Sequence, residues 1–394
     1  MMQYRERAWA EISLDALAHN VKAIQEKLKD KTEYCAVVKA DAYGHGEEFI
    51  CKKLYKTGIR FYAVSSFEEA VRVRRWCPEG EILILGYTAP ECAPMLAEYD
   101  IIQAVVSVDY AKELAKFAKI GCPVRCHVAL DTGMGRIGLK TGLEVSEKEA
   151  CLQEMKEISA LSGLHVEGLF THFAVADEED SENVSYTEKQ QTAFFMTAEM
   201  YKTQIAPLKH VHCMNSAAIL YRNTPESSLA RAGIIMYGLK PNASLAVPLE
   251  LQPVLSFRTR ISHIKEVHAG DCISYGRTYH AESTRRIATI TVGYADGYSR
   301  LLSNQGEVLV KGIRCRITGR VCMDQTMIDI TDVPDVSVGE VVTLIGTDGN
   351  DCITADELAG IYGTIGYEVV CGISKRIPRI FMQDGKIMHE DSLI

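Results

Sequence analysis

The stretch Tyr34-Cys-Ala-Val-Val-Lys39-Ala-Asp-Ala-Tyr43-Gly44-His-Gly46 decides how the chain folds. Residues Tyr34–Val38 are apolar and partly β-branched, which reads as a short buried strand. The run stops at a lysine and passes into a polar turn containing glycine. Working outward, seven more such runs follow: Phe61–Val64, Glu81–Leu85, Ile101–Val106, Val124–Leu130, Leu164–Phe170, His210–Met214 and Leu229–Met236. Amphipathic helical segments lie between most of them. Asp109–Lys119 sets Leu114, Phe117 and Ala118 on one face, and Tyr186–Ile205 is a second example. A helix at Ser13–Leu28 precedes the first strand. Eight parallel strands with crossover helices, over about 250 residues, make a (β/α)8 barrel of the TIM type.

Near residue 250 the pattern changes to strands in close succession: Val254–Ile264, Arg286–Val292, Glu307–Lys311, Arg314–Thr318, Thr326–Ile330 and Glu340–Ile345. Turns rich in Gly, Asn and Asp join them, as at Lys311-Gly312 and Asp348-Gly349-Asn350. One helix, Thr354–Tyr362, opens on the capping box Thr354-Ala-Asp-Glu357. The expected protein is α/β, with a barrel over 13–250 and a mostly antiparallel β domain over 251–394. No low-complexity linker separates them, so the two should pack closely.

Composition narrows the function classes. A hydrophobic content of 47% against 24% charged residues suffices for a folded core. The formal net charge is -9 with no basic block to offset it, which argues against nucleic acid and anionic membranes as partners. Apolar runs such as Glu81–Leu85 are too short to span a bilayer, and the N-terminal residues lack the apolar core of a signal peptide. The 13 cysteines are odd in number, scattered and without C-x2-C pairs, as expected of reduced thiols in a cytoplasm. No metal set is apparent.

In a barrel of this type the reacting groups sit at the C-terminal ends of the strands. Those ends carry Lys39, Gly86-Tyr87, Asp131-Thr-Gly-Met-Gly-Arg136, Thr171-His172, Asn215-Ser216 and, on the eighth run, Arg231 with Tyr237-Gly238. A passive scaffold has no need for so many polar and reactive groups on one rim. Lys39 is central. Emerging from a buried strand, its amine can be desolvated and so kept neutral, which makes it a Schiff-base nucleophile. Taken alone it would read as an ordinary loop lysine, and His172 as a satisfied core histidine. Arg231 lies in the apolar run Leu-Ala-Arg-Ala-Gly-Ile-Ile, where a buried charge needs a purpose.

The segment Val-Val-Lys39-Ala-Asp-Ala-Tyr43-Gly44-His45-Gly46 resembles the cofactor-attachment signature of the alanine racemases. The likeness continues in order through Asp131–Arg136, Thr171–Ala174, Asn215-Ser216, Arg231-Ala-Gly-Ile234, Met236–Gly238, Ser274–Gly276, Gly293–Gly297, Val321–Asp324 and Tyr367-Glu368. The resemblance implies a homodimeric enzyme that uses pyridoxal 5'-phosphate (PLP) to interconvert L- and D-alanine for peptidoglycan. It also implies that Met1–Ile12 joins the C-terminal domain. Lys39 would hold the cofactor and act as the base on one face, and Tyr275 from the partner subunit would be the base on the other. His172 would hydrogen-bond toward Tyr275, assisted by Arg231. Arg231 would face the pyridine nitrogen and keep it unprotonated, since arginine does not give up its proton. Tyr43, Ser216 and Tyr367 with the backbone N–H groups of Gly233 and Ile234 would hold the phosphate. Arg136 and the backbone of Met323 would hold the substrate carboxylate, and Tyr294 would narrow the access passage together with Tyr275. Gly44 and Gly46 are expected only to turn the chain.

One position departs from the family pattern. Many members carry a lysine, often carbamylated, where this chain has Ala129, so something else must orient Arg136. Three other functions share parts of the pattern. A non-catalytic PLP-homeostasis protein resembles a lone barrel, and the domain carrying Tyr275 and Cys322-Met-Asp324 argues against it. A barrel-type decarboxylase usually sets a carboxylate at the pyridine nitrogen, and Arg231 argues against that. The serine racemase domains of vancomycin-resistance membrane proteins share this catalytic half. They are the main alternative, and racemase rates on L-alanine and L-serine side by side would separate the two.

Overall fold

The computed structural model describes residues 7–28, 31–119, 121–222 and 224–391. Eight parallel strands form the barrel: Glu33–Val37, Phe61–Val64, Glu81–Ile84, Ile102–Val105, Val124–Asp131, Leu164–Phe170, His210–His212 and Leu229–Ala232. The eighth pairs with the first in the register Leu229↔Glu33 to Ala232↔Ala36. Closure against the seventh is slighter, through the bridge Met214↔Ala230 and the N–H of Ser228 donating to Val211 O at 2.8 Å. The eighth strand stops short of Met236. Gly233 (φ -106°, ψ -108°) turns the chain out of the sheet and Ile234–Tyr237 form a 3-10 turn instead.

Side-chain caps fix where several helices begin. Ser13 accepts from Ala16 N at 3.1 Å and starts the helix Leu14–Lys27. Asp180 accepts from Asn183 N at 3.0 Å, so the helix Ser181–Gln204 begins five residues earlier than its apolar pattern shows at Tyr186. Thr354 caps Ala355–Tyr362 by accepting from Glu357 N. No helix among the described residues is long and apolar enough to cross a membrane.

The second unit is a sheet in which Ala8–Ser13 is an interior strand. That strand runs antiparallel to Leu255–Val267 and parallel to Arg379–Gln383. Residues 1–6 and 392–394, the ends of the expected C-terminal unit, lie outside the described residues. The strands Arg379–Gln383 and Lys386–Asp391 escape the sequence reading because they are short and follow Pro378. The first strand of the chain therefore begins in one sheet, and its helix leads into the other.

The contact between the units falls on the turn after Lys39. Ala40, Asp41, Ala42 and Tyr43 all have φ between 52° and 55°, one turn of left-handed helix made from non-glycine residues. Such a conformation costs roughly 1–2 kcal/mol per residue. Compensating bonds hold it. Glu69 accepts from Ala40 N at 2.7 Å, and Asp41 accepts from Glu47 N at 2.8 Å. Arg379, buried in the C-terminal sheet, donates to Gly44 O from Nε at 3.2 Å and from a terminal nitrogen at 3.1 Å. Gly44 and Gly46 do more than turn the chain. A Cβ on Gly44 would lie 2.4 Å from Val370 O, and one on Gly46 would lie 2.7 Å from the Phe381 ring. Gly58 offers a comparison, with φ +92° and open space around it. Gly58→Ala should cost only the backbone penalty of about 1–2 kcal/mol. Gly44→Ala should cost clearly more in the same urea titration, and equal losses would contradict the close packing seen here.

Candidate active site

The rim of the barrel opens on a cavity of about 760 Å³. Lys39, Tyr43, Arg136, His172, Ser216, Arg231, Gly233 and Tyr367 all line it. Lys39 reaches it from the end of the first strand. Burial first, then the positive charge of Arg136, pulls its amine below the ordinary lysine value, and Glu69 partly opposes this. The lysine is thus biased toward the neutral amine that a nucleophile requires.

Arg231 stands on the eighth strand and is almost wholly buried. Its terminal nitrogens donate to His212 Nδ1 at 2.7 Å, Thr171 O at 2.8 Å, His212 O at 3.2 Å and Cys213 O at 3.3 Å. A longer contact of 3.4 Å reaches His172 Nδ1. A guanidinium only donates, so His172 Nδ1 accepts there, and the Asn215 side-chain amide nitrogen approaches Nε2 at 3.5 Å. Burial, with the charges of Arg231, Arg136 and Lys39, holds the His172 pKa down to about 3.

Opposite the lysine, three groups form a cradle. Ser216 Oγ accepts from Gly233 N at 3.0 Å. A Cβ on Gly233 would come within 2.8 Å of Tyr43 Oη and 3.4 Å of Ser216 Oγ, so only glycine leaves this space open. Ile234 follows directly and is buried. Burial pushes the phenols of Tyr43 and Tyr367 up, so both are hydroxyl donors at neutral pH. Their rings lie 6.2 Å apart, Tyr367 being carried by the short helix Gly366–Cys371 of the C-terminal unit.

Arg136 is exposed, with no hydrogen bond or ion pair among the described residues. Ala129 belongs to a small apolar cluster with Ala104 and Phe170 and offers it nothing. Its loop is fixed through the backbone instead. Asp131 Oδ1 accepts from Gly133 N and Gly135 N, each at 3.0 Å, and the Tyr186 hydroxyl donates to Gly133 O at 2.7 Å. Asp131 and Tyr186 were not singled out from sequence. The Asp-x-Gly-x-Gly spacing of a carboxylate followed by turn residues could have flagged the first.

The remaining three candidates stand elsewhere. Tyr275, Met323 and Tyr294 do not line the cavity and are 70%, 53% and 43% exposed. They share one surface of the C-terminal unit. Tyr294 N donates to Cys322 O at 3.0 Å, and Ala295 N to Met323 O at 3.1 Å. Beneath them the fully buried Asp296 accepts from both terminal nitrogens of Arg7 at 2.6 Å, from Gly293 N at 2.9 Å and pairs with Arg376 Nε at 3.0 Å. That carboxylate anchors the turn that presents Tyr294.

A neutral buried His172 makes stability depend on pH with a definite sign. The unfolded residue titrates near 6.5 and the folded one near 3, so between these values the unfolded chain holds the extra proton. Its contribution is complete above about pH 6.5 and is lost as pH falls toward 3, at up to about 1.4 kcal/mol per unit. His172→Gln should flatten the pH dependence of unfolding free energy over that window. An unchanged slope would show that His172 is not held neutral.

With this geometry in hand, the relatives of the chain can be set beside it. Residues 12–241 match the family model "Alanine racemase, N-terminal domain" and residues 254–381 match "Alanine racemase, C-terminal domain". The alanine racemase of Clostridium novyi is 42% identical over 98% of both chains, and that of Halothermothrix orenii 44% identical over 94% of this chain and 96% of its own. The crystal structure of alanine racemase from Bacillus anthracis with bound L-Ala-P superposes with a TM-score of 0.90 at 38% identity, covering 100% of this chain and 99% of that one. The chain belongs to the alanine racemase family.

Proposed function

We propose that this protein is a PLP-dependent isomerase that racemises alanine by two bases on opposite faces of the substrate, one from each subunit of a homodimer. The observation that carries this is the convergence of Lys39, Arg231 and the Tyr43–Ser216–Gly233 cradle on one cavity. The residues fit the cofactor. A cradle that a single Cβ would fill, lined by hydroxyl and backbone donors, suits a phosphate, and a depressed amine suits a carbonyl. PLP, when bound, supplies the electron sink that makes removal of the α-proton possible.

The chain's own groups do the rest. Lys39 holds the cofactor and moves the proton on one face. Tyr275, Met323 and Tyr294 lie on an exposed surface away from their own cavity, which supports their completing the cavity of the partner. Tyr275 then exchanges the proton on the other face, where positioned transfer is worth about 10²–10⁴-fold. His172, assisted by Arg231, hydrogen-bonds toward that tyrosine. Arg136 binds the substrate carboxylate together with the Met323 backbone. Tyr43, Ser216, Tyr367 and the N–H groups of Gly233 and Ile234 hold the phosphate. Arg231 would face the pyridine nitrogen of the bound cofactor and, as a group that does not give up its proton, would leave that nitrogen unprotonated and the sink weaker. The product serves peptidoglycan synthesis in the cytoplasm.

Substrate choice rests on Tyr367, whose ring walls the cavity. A methyl group fits beside it. A serine hydroxyl buried there without a partner costs about 1–3 kcal/mol, or roughly 10–200-fold in kcat/KM. Rates on L-alanine and L-serine, in the natural sequence and in Tyr367→Asn, test this. Alanine should be preferred and the substitution should shift the ratio toward serine. Equal rates in the natural sequence would favour the serine racemase reading, and a ratio unmoved by Tyr367→Asn would remove Tyr367 as the selector.

A further inference from the structure

Beside Arg231 the barrel strands carry a group of buried histidines. His212 and His127 are both fully buried, and Gly168 makes room for the second, since a Cβ there would lie 2.5 Å from the His127 ring. Arg231 meets His212 Nδ1 at 2.7 Å. The other nitrogen of that ring, Nε2, lies 3.0 Å from His127 Nδ1. His127 Nε2 then points at Glu167 Oε1 across 3.8 Å with no closer partner. Glu167 in turn accepts from Arg125 at 2.8 Å and 3.1 Å.

The donor of each link follows from chemistry. A guanidinium cannot accept, so His212 Nδ1 accepts and a neutral ring must carry its proton on Nε2. That proton is donated to His127 Nδ1, which leaves the His127 proton on Nε2, facing the carboxylate. Every link donates in one direction, away from the cavity. A proton added to His212 Nδ1 would set donor against donor at Arg231. Burial, reinforced by the nearby charge of Arg231, holds His212 neutral, and burial first, then the neighbouring His210, Arg125, Lys209 and Arg231, does the same for His127. The Phe170 ring stacks on His212 at 5.4 Å and 13° and fixes its plane.

We propose that His212 and His127 are positioning residues for Arg231, a one-way hydrogen-bonded chain down the barrel axis that fixes the guanidinium at the cavity floor and ties it to the Glu167–Arg125 pair. This rests on the reading that Arg231 faces the cofactor ring. His210 supplies the internal comparison. Its ring is buried 5.5 Å from that of His127, but it is no part of the chain.

Neutron diffraction on the enzyme as purified, exchanged into heavy water, should show deuterium on Nε2 and not on Nδ1 of both His212 and His127. Deuterium on His212 Nδ1 would overturn the chain. For its role, His212→Phe keeps the stacked ring but deletes the acceptor. It should raise the dissociation constant for PLP and lower kcat by roughly 10–100-fold, the size expected for a hydrogen bond to a charged group. KM should be little altered and the near-visible absorption band of the bound cofactor should shift. His127→Phe should do the same more weakly, and His212→Gln, whose amide can accept and donate in turn, should recover part of the loss. His210→Phe should leave cofactor affinity and band unchanged. Equal effects in His210→Phe and His212→Phe would reduce the chain to ordinary packing. An unmoved band in His212→Phe would also end the positioning role, and Arg231→Gln then tells why. A shifted band there faults the chain alone, and an unmoved one faults the placement of Arg231 at the cofactor.

Discussion

Four consecutive residues with positive φ follow Lys39, and L-residues resist that conformation. The turn exists because two folding units grip it from opposite sides. The barrel supplies Glu69 and the C-terminal sheet supplies Arg379, whose other donors are spent on Ser374 O, Ile377 O and Ile373 O. The consequence is geometric. A tight left-handed turn stops the strand at once, leaves Lys39 at the rim and swings Tyr43 back to face Gly233 and Ser216. Lys39 and the cradle are thus set by a single backbone feature, and the C-terminal unit is needed to keep it.

The second constraint is electrostatic. Lys39, Arg136 and Arg231 bring positive charge to one cavity. The Asp131 carboxylate beneath the Arg136 loop is occupied by backbone N–H groups. Asp177 and Glu368 also line the cavity, so its basic groups are partly offset, and the remaining donors suit anionic ligands. Burial first, then these positive charges, keeps His172 neutral and pulls the lysine amine down. The charge of Arg231 survives burial because carbonyl oxygens and His212 accept from it, a far less basic surrounding than a carboxylate partner would be.

Much of this was legible beforehand, for physical reasons that differ by element. Barrel strands such as Phe61–Val64 and Leu164–Phe170 stand where their apolar runs place them, because both faces are buried and the run length equals the strand length. The eighth run misled at its end, since Ile234–Met236 are apolar yet leave the sheet at Gly233. Small C-terminal strands were missed where partners lie hundreds of residues away, as Arg379–Gln383 pairs with Ala8–Ser13. Site residues on strand ends could be named from residue type. The left-handed turn and the histidine chain could not, because each depends on which side chains the fold brings together.

On the proposed function, the site is completed by a second subunit. The lysine-bearing cavity and the Tyr275 surface belong to different units, and Tyr275 stands in the open. The account therefore requires a second subunit, and the most direct measurement is complementation. Lys39→Ala and Tyr275→Phe subunits are each expected to be inactive as homodimers. Mixed under conditions of proven exchange, they should regain a sizeable part of the alanine racemase activity, because each heterodimer holds one cavity with both bases intact. No recovery despite exchange would contradict the shared site and place both bases within a single chain.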